Sequence, residues 1–159
     1  GELVALVLAD LDLRDGEVRV RHGKGGHERR VPIGPSAIRA VTRYLERARG
    51  HASVQRAGLP SPAVFLSRTG RRFAVQDVEM MVRRRAREAD LGRVTPHALR
   101  HTAAVHLLRG GADVRHIQVF LGHACVGSTV RYTQLNVEDL RRALDRAHPR
   151  SRLALPEPA

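Results

Sequence analysis

The fold of this chain is decided by residues 96–135, PHALRHTAAVHLLRGGADVRHIQVFLGHACVGSTVRYTQL. Thr95, just before them, is a typical helix N-cap, and Gly110 with Gly111 ends that helix. Asp113 caps a second helix, which stops at Gly122. This second helix carries four apolar residues that we expect to face the core: Val114, Ile117, Phe120 and Leu121. The segment therefore predicts short helices separated by tight turns.

The first half of the chain predicts a small sheet flanked by helices. Polar and apolar residues alternate, as is typical of strands, in residues 17–21 (EVRVR) and 28–33 (ERRVPI). The GKGG sequence between them is typical of a hairpin tip. Residues 63–67 (AVFLS) are typical of a short buried strand, and helices are expected to begin at Pro35 and near Val75. Together these patterns predict an α+β fold, mostly α-helical, with a small antiparallel β-hairpin or three-stranded sheet near the N-terminus.

The opening residues 1–8, GELVALVL, have the spacing of an amphipathic helix, because Leu3, Leu6 and Val7 fall on one side. No N-cap precedes them, which indicates a helix that starts upstream. A polar turn is predicted to follow over residues 10–16. The chain is therefore expected to be a fragment of a longer protein.

The charge of the chain indicates a polyanionic partner. The net charge is +12, with 28 basic and 16 acidic residues. A compositional bias explains why 27 of the basic residues are arginine, but it does not explain the basic excess. Aromatic residues make up only 3%, which is few for a protein that stacks single-stranded bases. The composition favours contacts with the backbone of duplex nucleic acid.

The composition also restricts the cellular setting. The single cysteine, Cys125, excludes an internal disulfide framework and suits a reducing cytoplasm. The sequence shows no signal peptide and no apolar run near the length of about 18 residues that a membrane helix needs. We therefore expect a cytoplasmic protein with no membrane role.

Residues 96–135 also carry a set of groups suited to phosphate chemistry. His97, Arg100 and His101 stand at i, i+3 and i+4, so a helix brings them to one face. The arginine fork can bind two phosphate oxygens, and a histidine can donate a proton. His123 follows a helix-ending glycine, and Tyr132 comes nine residues later. This set is what the attack of a phenolate on a phosphodiester requires, with side-chain cations in place of a metal.

Each of these residues has a simpler interpretation when taken alone. His97 and His101 have the spacing of a zinc pair, but neither an HExxH glutamate nor a cysteine pair accompanies them, so no metal site is predicted. Arg100 alone would be solvated or ion-paired, and Tyr132 alone would be a half-buried packing residue. Only the ordered set favours catalysis.

Lys24 is the one lysine of the chain, and it lies at the tip of the glycine-rich hairpin. It is there either by chance or because a flexible ammonium that can release a proton is needed at that point. GKGG is not a P-loop, because it lacks the Walker spacing and joins two strands.

Four ordered blocks of the chain resemble the catalytic domain of the tyrosine recombinases, the phage integrase family. The blocks are GELVALVLADLDLRDGEVRVRHGKGGHERRVPI, PHALRHT, LGH and STVRYTQL. The resemblance covers residues 1–145. It implies a tyrosine recombinase catalytic domain over residues 1–148 and a flexible C-terminal tail over residues 149–159.

The resemblance implies a role for each catalytic candidate. Tyr132 corresponds to the nucleophile that attacks the scissile phosphate, forms a 3′-phosphotyrosyl link and frees a 5′-hydroxyl. Arg100 corresponds to the second catalytic arginine, which clamps the non-bridging oxygens. His97 corresponds to the first residue of the H-x-x-R box, which assists proton transfer and phosphate binding, and His123 corresponds to the His/Trp position, which hydrogen-bonds the phosphate. Lys24 corresponds to the general acid toward the leaving 5′-oxygen. Because the link conserves the bond energy, no ATP, metal or other cofactor is implied.

The resemblance also implies partners. These are duplex DNA with specific recombination sites and further copies of the chain in a homotetramer on DNA, associated with the bacterial nucleoid. A last helix, predicted over Val137–Ala147, either docks on a neighbouring protomer or packs on its own domain. Five basic residues are expected to contact DNA: Arg21, Lys24, Arg29, Arg100 and His101.

One family feature is missing from these 159 residues. The family's first catalytic arginine lies three residues before a glutamate in a G-L-R-x-[SG]-E-L segment, and Glu2 fits that glutamate. The arginine would therefore precede Gly1, as would the family's N-terminal DNA-clasping domain. Losing one phosphate clamp costs about 3–4 kcal/mol of transition-state stabilisation. We therefore expect the chain as given to be a poor or inactive recombinase and its longer parent protein to be active.

Three other interpretations remain open from the sequence. A type IB topoisomerase shares the phosphotyrosine chemistry, although the compact hairpin and the LGH-to-tyrosine spacing resemble the recombinases more. A non-catalytic, basic module that binds duplex DNA would need none of the catalytic set. A soluble helical domain whose charge serves only solubility would bind duplex DNA weakly or without dependence on salt.

Overall fold

The computed structural model describes residues 1–21, 28–50, 61–122 and 137–147. Over these described residues, the chain begins with helix α1 and a 3₁₀ turn, continues through three strands, and then forms five further helices. In chain order the elements are α1 (Glu2–Ala5), the 3₁₀ turn (Leu8–Asp10), β1 (Leu11–Asp12), β2 (Glu17–Val20), β3 (Arg29–Pro32), α2 (Pro35–Tyr44, extended by a π-helical turn over Leu45–Arg49), α3 (Val75–Glu88), α4 (Pro96–Arg109), α5 (Val114–Leu121) and α6 (Val137–Ala147).

The strands form an antiparallel sheet in the order β1-β2-β3. Val18 pairs with Leu11 on one side and with Val31 on the other, and Val20 pairs with Arg29. Val18 and Val20 are buried because alternate residues of a strand point to the same face. The predicted hairpin arms are confirmed, but the polar turn predicted over residues 10–16 contains the whole of strand β1.

The N-terminal helix is shorter than predicted. It ends at Ala5, and Leu6 takes an extended conformation. The reason is tertiary, because Leu6 accepts a backbone hydrogen bond from Val64 and Leu8 donates one to Pro62. Leu3 is largely exposed, so the apolar side predicted for residues 1–8 is only partly buried.

The strand predicted over residues 63–67 is buried but irregular. Ala63, Val64 and Leu66 belong to the core, yet they take part only in the isolated bridges Val7–Ala63 and Leu66–Arg72. The amide of Leu66 donates to the hydroxyl of Tyr44 at 2.9 Å. The segment therefore satisfies its backbone groups through isolated backbone hydrogen bonds and one helix side chain, and it does not extend the sheet.

The caps predicted for α4 and α5 are confirmed. The Thr95 hydroxyl accepts from the Ala98 amide at 3.1 Å, and the Asp113 carboxylate accepts from the Arg115 amide at 2.7 Å. Gly122 ends α5 in the left-handed conformation with φ +68°. Val114 was predicted to face inward, which is wrong: it is 55% exposed, because the first turn of α5 lies outside the core.

Helices α4, α5 and α6 share one hydrophobic cluster. It is formed by Leu107, Ala112, Ile117, Leu121 and Leu144, with Ala104 and Phe120 partly buried against it. Helix α6 also packs on β3, and Arg141 donates to the carbonyl of Asp15 and lies 3.4 Å from the carboxylate of Glu17. This packing brings the C-terminal end of α5 beside the sheet. Among the helices that the structure describes, none combines the length and the apolar character that crossing a membrane requires.

Candidate active site

Two arginines from distant elements meet the C-terminal end of α5. Arg100, on α4, donates a hydrogen bond from Nη2 to the carbonyl of Leu121, and the guanidinium of Arg29, on β3, lies against Gly122. Cations are favoured there, because the last carbonyls of a helix carry partial negative charge. The two side chains therefore contact Leu121 and Gly122, the two residues that precede His123.

Arg29 forms a two-pronged ion pair with Glu2. Its Nη1 and Nη2 atoms donate to the two carboxylate oxygens, each at 2.9 Å. These hydrogen bonds lower the pKa of Glu2 below its ordinary value of 4.5, and the charges of Arg29 and Arg100 act in the same direction against the effect of burial. Glu2 thus lies in the field of both arginines and is ionised at neutral pH.

Gly122 could not carry a side chain in this arrangement. A Cβ atom there would lie 2.5 Å from Cζ of Arg29 and 2.7 Å from each of its terminal nitrogens. The positive φ of Gly122 adds a second reason for glycine, because side chains disfavour the left-handed region. The backbone and the guanidinium are therefore in direct contact.

Helix α4 carries the other described candidates. His97 and His101 are exposed, whereas Arg100 between them is half-buried. Within the described part of the chain, Arg100 forms no salt bridge, and its hydrogen-bond acceptor is a neutral carbonyl. Arg100 therefore keeps its positive charge and several N–H donors for an anion.

Arg21 extends from the end of β2 toward the 3₁₀ turn. Its Nε donates to the buried carboxylate of Asp10, which also accepts from the Val7 amide at 2.9 Å. Burial raises the pKa of Asp10, but the hydrogen bonds from Val7 and Arg21 outweigh this effect and lower it below its ordinary value. A cavity of about 310 Å³ lies beside the pair and is also lined by Arg72.

Three predicted catalytic residues fall outside the described parts of the structure. Lys24 belongs to residues 22–27 between β2 and β3, and His123 and Tyr132 belong to residues 123–136 between α5 and α6. Residues close to both segments are described: Arg21 and Arg29 lie near the two ends of residues 22–27, and Gly122 directly precedes residues 123–136. Across residues 1–21, 28–50, 61–122 and 137–147, no group of three or more His, Cys, Asp or Glu side chains could hold a metal ion.

Sequence reasoning missed three features of this site. It assigned Asp10 to a polar turn, treated Gly122 only as a helix stop, and did not pair Glu2 with Arg29. The spacing of Asp10 three residues after Val7, which suits a carboxylate that caps the Val7 amide, was the available signal for the first. A contact across 27 residues of sequence leaves no comparable local signal.

The profile of the phage integrase family matches residues 1–139. The chain belongs to this family. The tyrosine recombinase XerC of Pelobacter propionicus is 40% identical over 157 residues, covering 98% of this chain and 49% of the relative. The tyrosine recombinase XerD of Mycobacterium tuberculosis is 43% identical over 152 residues, covering 95% of this chain and 48% of the relative.

The fold of this phage integrase family member agrees with that of a solved relative. A crystal structure of XerA recombinase superposes with a TM-score of 0.70 at 37% identity, covering 94% of this chain and 53% of that one. The predicted family and the predicted α+β class are therefore confirmed. The chain spans about half the length of the curated relatives that it matches.

Proposed function

We propose that this chain supplies the catalytic part of a site-specific tyrosine recombinase. The observation that carries the proposal is the position of Arg100, whose guanidinium is held at the C-terminal end of α5, two residues before His123. Membership in the phage integrase family supports the same conclusion. The substrate class is duplex DNA with specific recombination sites, which fits the net charge of +12.

The reaction transfers one phosphodiester bond. The hydroxyl oxygen of Tyr132 gives its proton to His97 and bonds to phosphorus while the bond from phosphorus to the 5′-oxygen breaks, and Lys24 gives its proton to that 5′-oxygen. Arg100, His97 and His123 stabilise the charge on the non-bridging oxygens. The resulting 3′-phosphotyrosyl link is then attacked by the 5′-hydroxyl of a partner strand, which regenerates the tyrosine and completes strand exchange.

The proposed partners follow from the same reaction. Exchange between two duplexes requires four tyrosines, so the active assembly on DNA is a homotetramer of the protein. The segment after Tyr132, including α6, either docks on a neighbouring protomer or packs on its own domain. The described contacts of α6 with α4, α5 and β3 support packing on its own domain for that helix. The proposed location is the bacterial cytoplasm, at the nucleoid.

A nicked suicide duplex tests the proposal, because loss of a short 5′-hydroxyl fragment traps the covalent adduct. We expect adduct formation by a longer protein that contains this chain, and none by its Tyr132→Phe variant, which retains DNA binding. The competing function is a non-catalytic, basic module that binds duplex DNA. That function predicts no adduct in either protein and the same DNA affinity in both.

A further inference from the structure

We propose that Arg29 is a positioning residue, which fixes strand β3, five residues after Lys24, against the end of α5 that directly precedes His123, and that it is not a phosphate ligand. This inference rests on the proposed recombinase function. It also revises the expectation that Arg29 contacts DNA directly. Three described groups meet at one point: Arg29 on β3, the carboxylate of Glu2 and the backbone of Gly122.

The charge of Arg29 is already matched inside the chain. Both terminal nitrogens face the carboxylate of Glu2 at 2.9 Å, and the side chain is only 15% exposed. Of the three N–H donors that Glu2 does not take, the one on Nε is buried and has no hydrogen-bond partner among the described residues. A phosphate that took the two donors facing Glu2 would have to displace a two-pronged, charge-assisted pair, and the low exposure of the side chain limits access to the others. Arg29 therefore differs from Arg100, whose described acceptor is an uncharged carbonyl.

The contact with Gly122 links the Arg29–Glu2 ion pair to the residue that directly precedes His123. The guanidinium occupies the space in which a Cβ atom of residue 122 would lie. Arg29 follows Lys24 by five residues along the hairpin, and Gly122 directly precedes His123. One planar group thus connects the backbone before His123 with the strand after Lys24. A lysine cannot reproduce this contact, because it lacks the planar fork.

Cleavage of a modified duplex separates positioning from phosphate binding. When the leaving 5′-oxygen is replaced by sulfur, the leaving thiol has a pKa of about 8.5 and needs no proton donor. If Arg29 positions Lys24, then Arg29→Gln slows cleavage of the all-oxygen duplex by about 10²-fold, the usual contribution of a general acid. The same variant then cleaves the sulfur-containing duplex at close to the unsubstituted rate. Equal slowing on both duplexes would overturn the inference.

DNA binding provides a second readout, with Arg30 as the matched control. Arg30 lies next to Arg29 on β3, is exposed and pairs with Glu17 at 3.4 Å. A lost phosphate contact reduces the slope of log affinity against log salt by about 0.9. We expect no such change for Arg29→Gln, and we expect Arg30→Gln to leave the cleavage rate unchanged. A slope change for Arg29→Gln, together with full activity of Arg29→Lys, would identify a phosphate ligand instead.

A double-mutant cycle of thermal stability tests the contact between Arg29 and Gly122 without an activity assay. Gly122→Ala should lower the melting temperature strongly in the unsubstituted chain, and less in an Arg29→Ala background, where space for the methyl group exists. The strain of placing alanine in the left-handed conformation of residue 122 is the same in both backgrounds, so it cancels from the difference between them. Full additivity would overturn the inference even if the duplex assays fail. Conversely, if a longer protein that contains this chain forms no adduct while the cycle shows coupling, the proposed function fails and the structural link remains.

Discussion

The guanidinium of Arg21 and the buried carboxylate of Asp10 form an ion pair that ties the end of β2 to the 3₁₀ turn beneath it. Asp10 is only 5% exposed, and its second oxygen accepts from the Val7 amide. The pair stands immediately before residues 22–27, which carry Lys24. The end of β2, directly before the segment that carries Lys24, is therefore anchored through a buried charge.

Replacing Asp10 should destabilise the fold. Asp10→Ala leaves the Val7 amide and the Arg21 guanidinium without their acceptor, and hydrogen bonds to charged groups contribute about 1.5–3 kcal/mol each. We expect a loss of this order in the free energy of unfolding, measured by urea titration. Asp15→Asn, at an exposed position, is the control and should change little. An equal effect of the two substitutions would contradict the role of burial.

The same carboxylate should make stability depend on pH. The pKa of Asp10 is lowered in the folded chain, so its contribution is fully present above the ordinary value of 3.8 and is lost as the pH falls through the lower folded value. Glu2 acts in the same sense, because the hydrogen bonds from Arg29 lower its pKa below 4.5. We expect the free energy of unfolding to fall below about pH 4.5, and to fall less steeply in Asp10→Asn.

Two adjacent leucines on α4 should respond very differently to truncation. Leu107 is 4% exposed and belongs to the core cluster, whereas Leu108 is 53% exposed. Leu107→Ala should lower the free energy of unfolding by about 2–5 kcal/mol, because it removes buried methyl groups and leaves a cavity. Leu108→Ala should change it by about 0.5 kcal/mol or less. Similar losses for both would show that α4 is rotated in solution.

The N-cap of α4 should contribute measurably to the site. Thr95→Ala removes the hydroxyl that accepts from the Ala98 amide and should cost about 1 kcal/mol of stability. Thr95→Ser keeps an acceptor and should restore most of the loss. Thermal unfolding followed by circular dichroism measures both. If serine and alanine behave alike, the hydroxyl does not cap the helix that carries His97 and Arg100.

Arg100 should be required for cleavage and much less for DNA binding. Arg100→Gln removes one clamp on the non-bridging oxygens and should lower the rate of adduct formation by about 10²–10³-fold. Arg100→Lys keeps the charge but loses the fork, so it should recover only part of the rate. The suicide duplex gives the rates, and a mobility shift gives the affinity. Full activity of the lysine variant would indicate that charge alone suffices.

Local patterns in the sequence determined the helix caps, the glycine that ends α5, the two arms of the hairpin and the family resemblance. Each depends on groups a few residues apart, so it can be inferred before packing is known. The tertiary structure alone decided that Leu6 leaves the helix to pair with residue 64, that Val114 is exposed, and that Asp10 is buried. It also decided which arginines are neutralised: Arg29 meets Glu2 and Gly122 from distant parts of the chain, whereas Arg100 meets a carbonyl. Burial and ion pairing depend on which distant segments pack together, and the charge of an arginine in the sequence does not specify its partner.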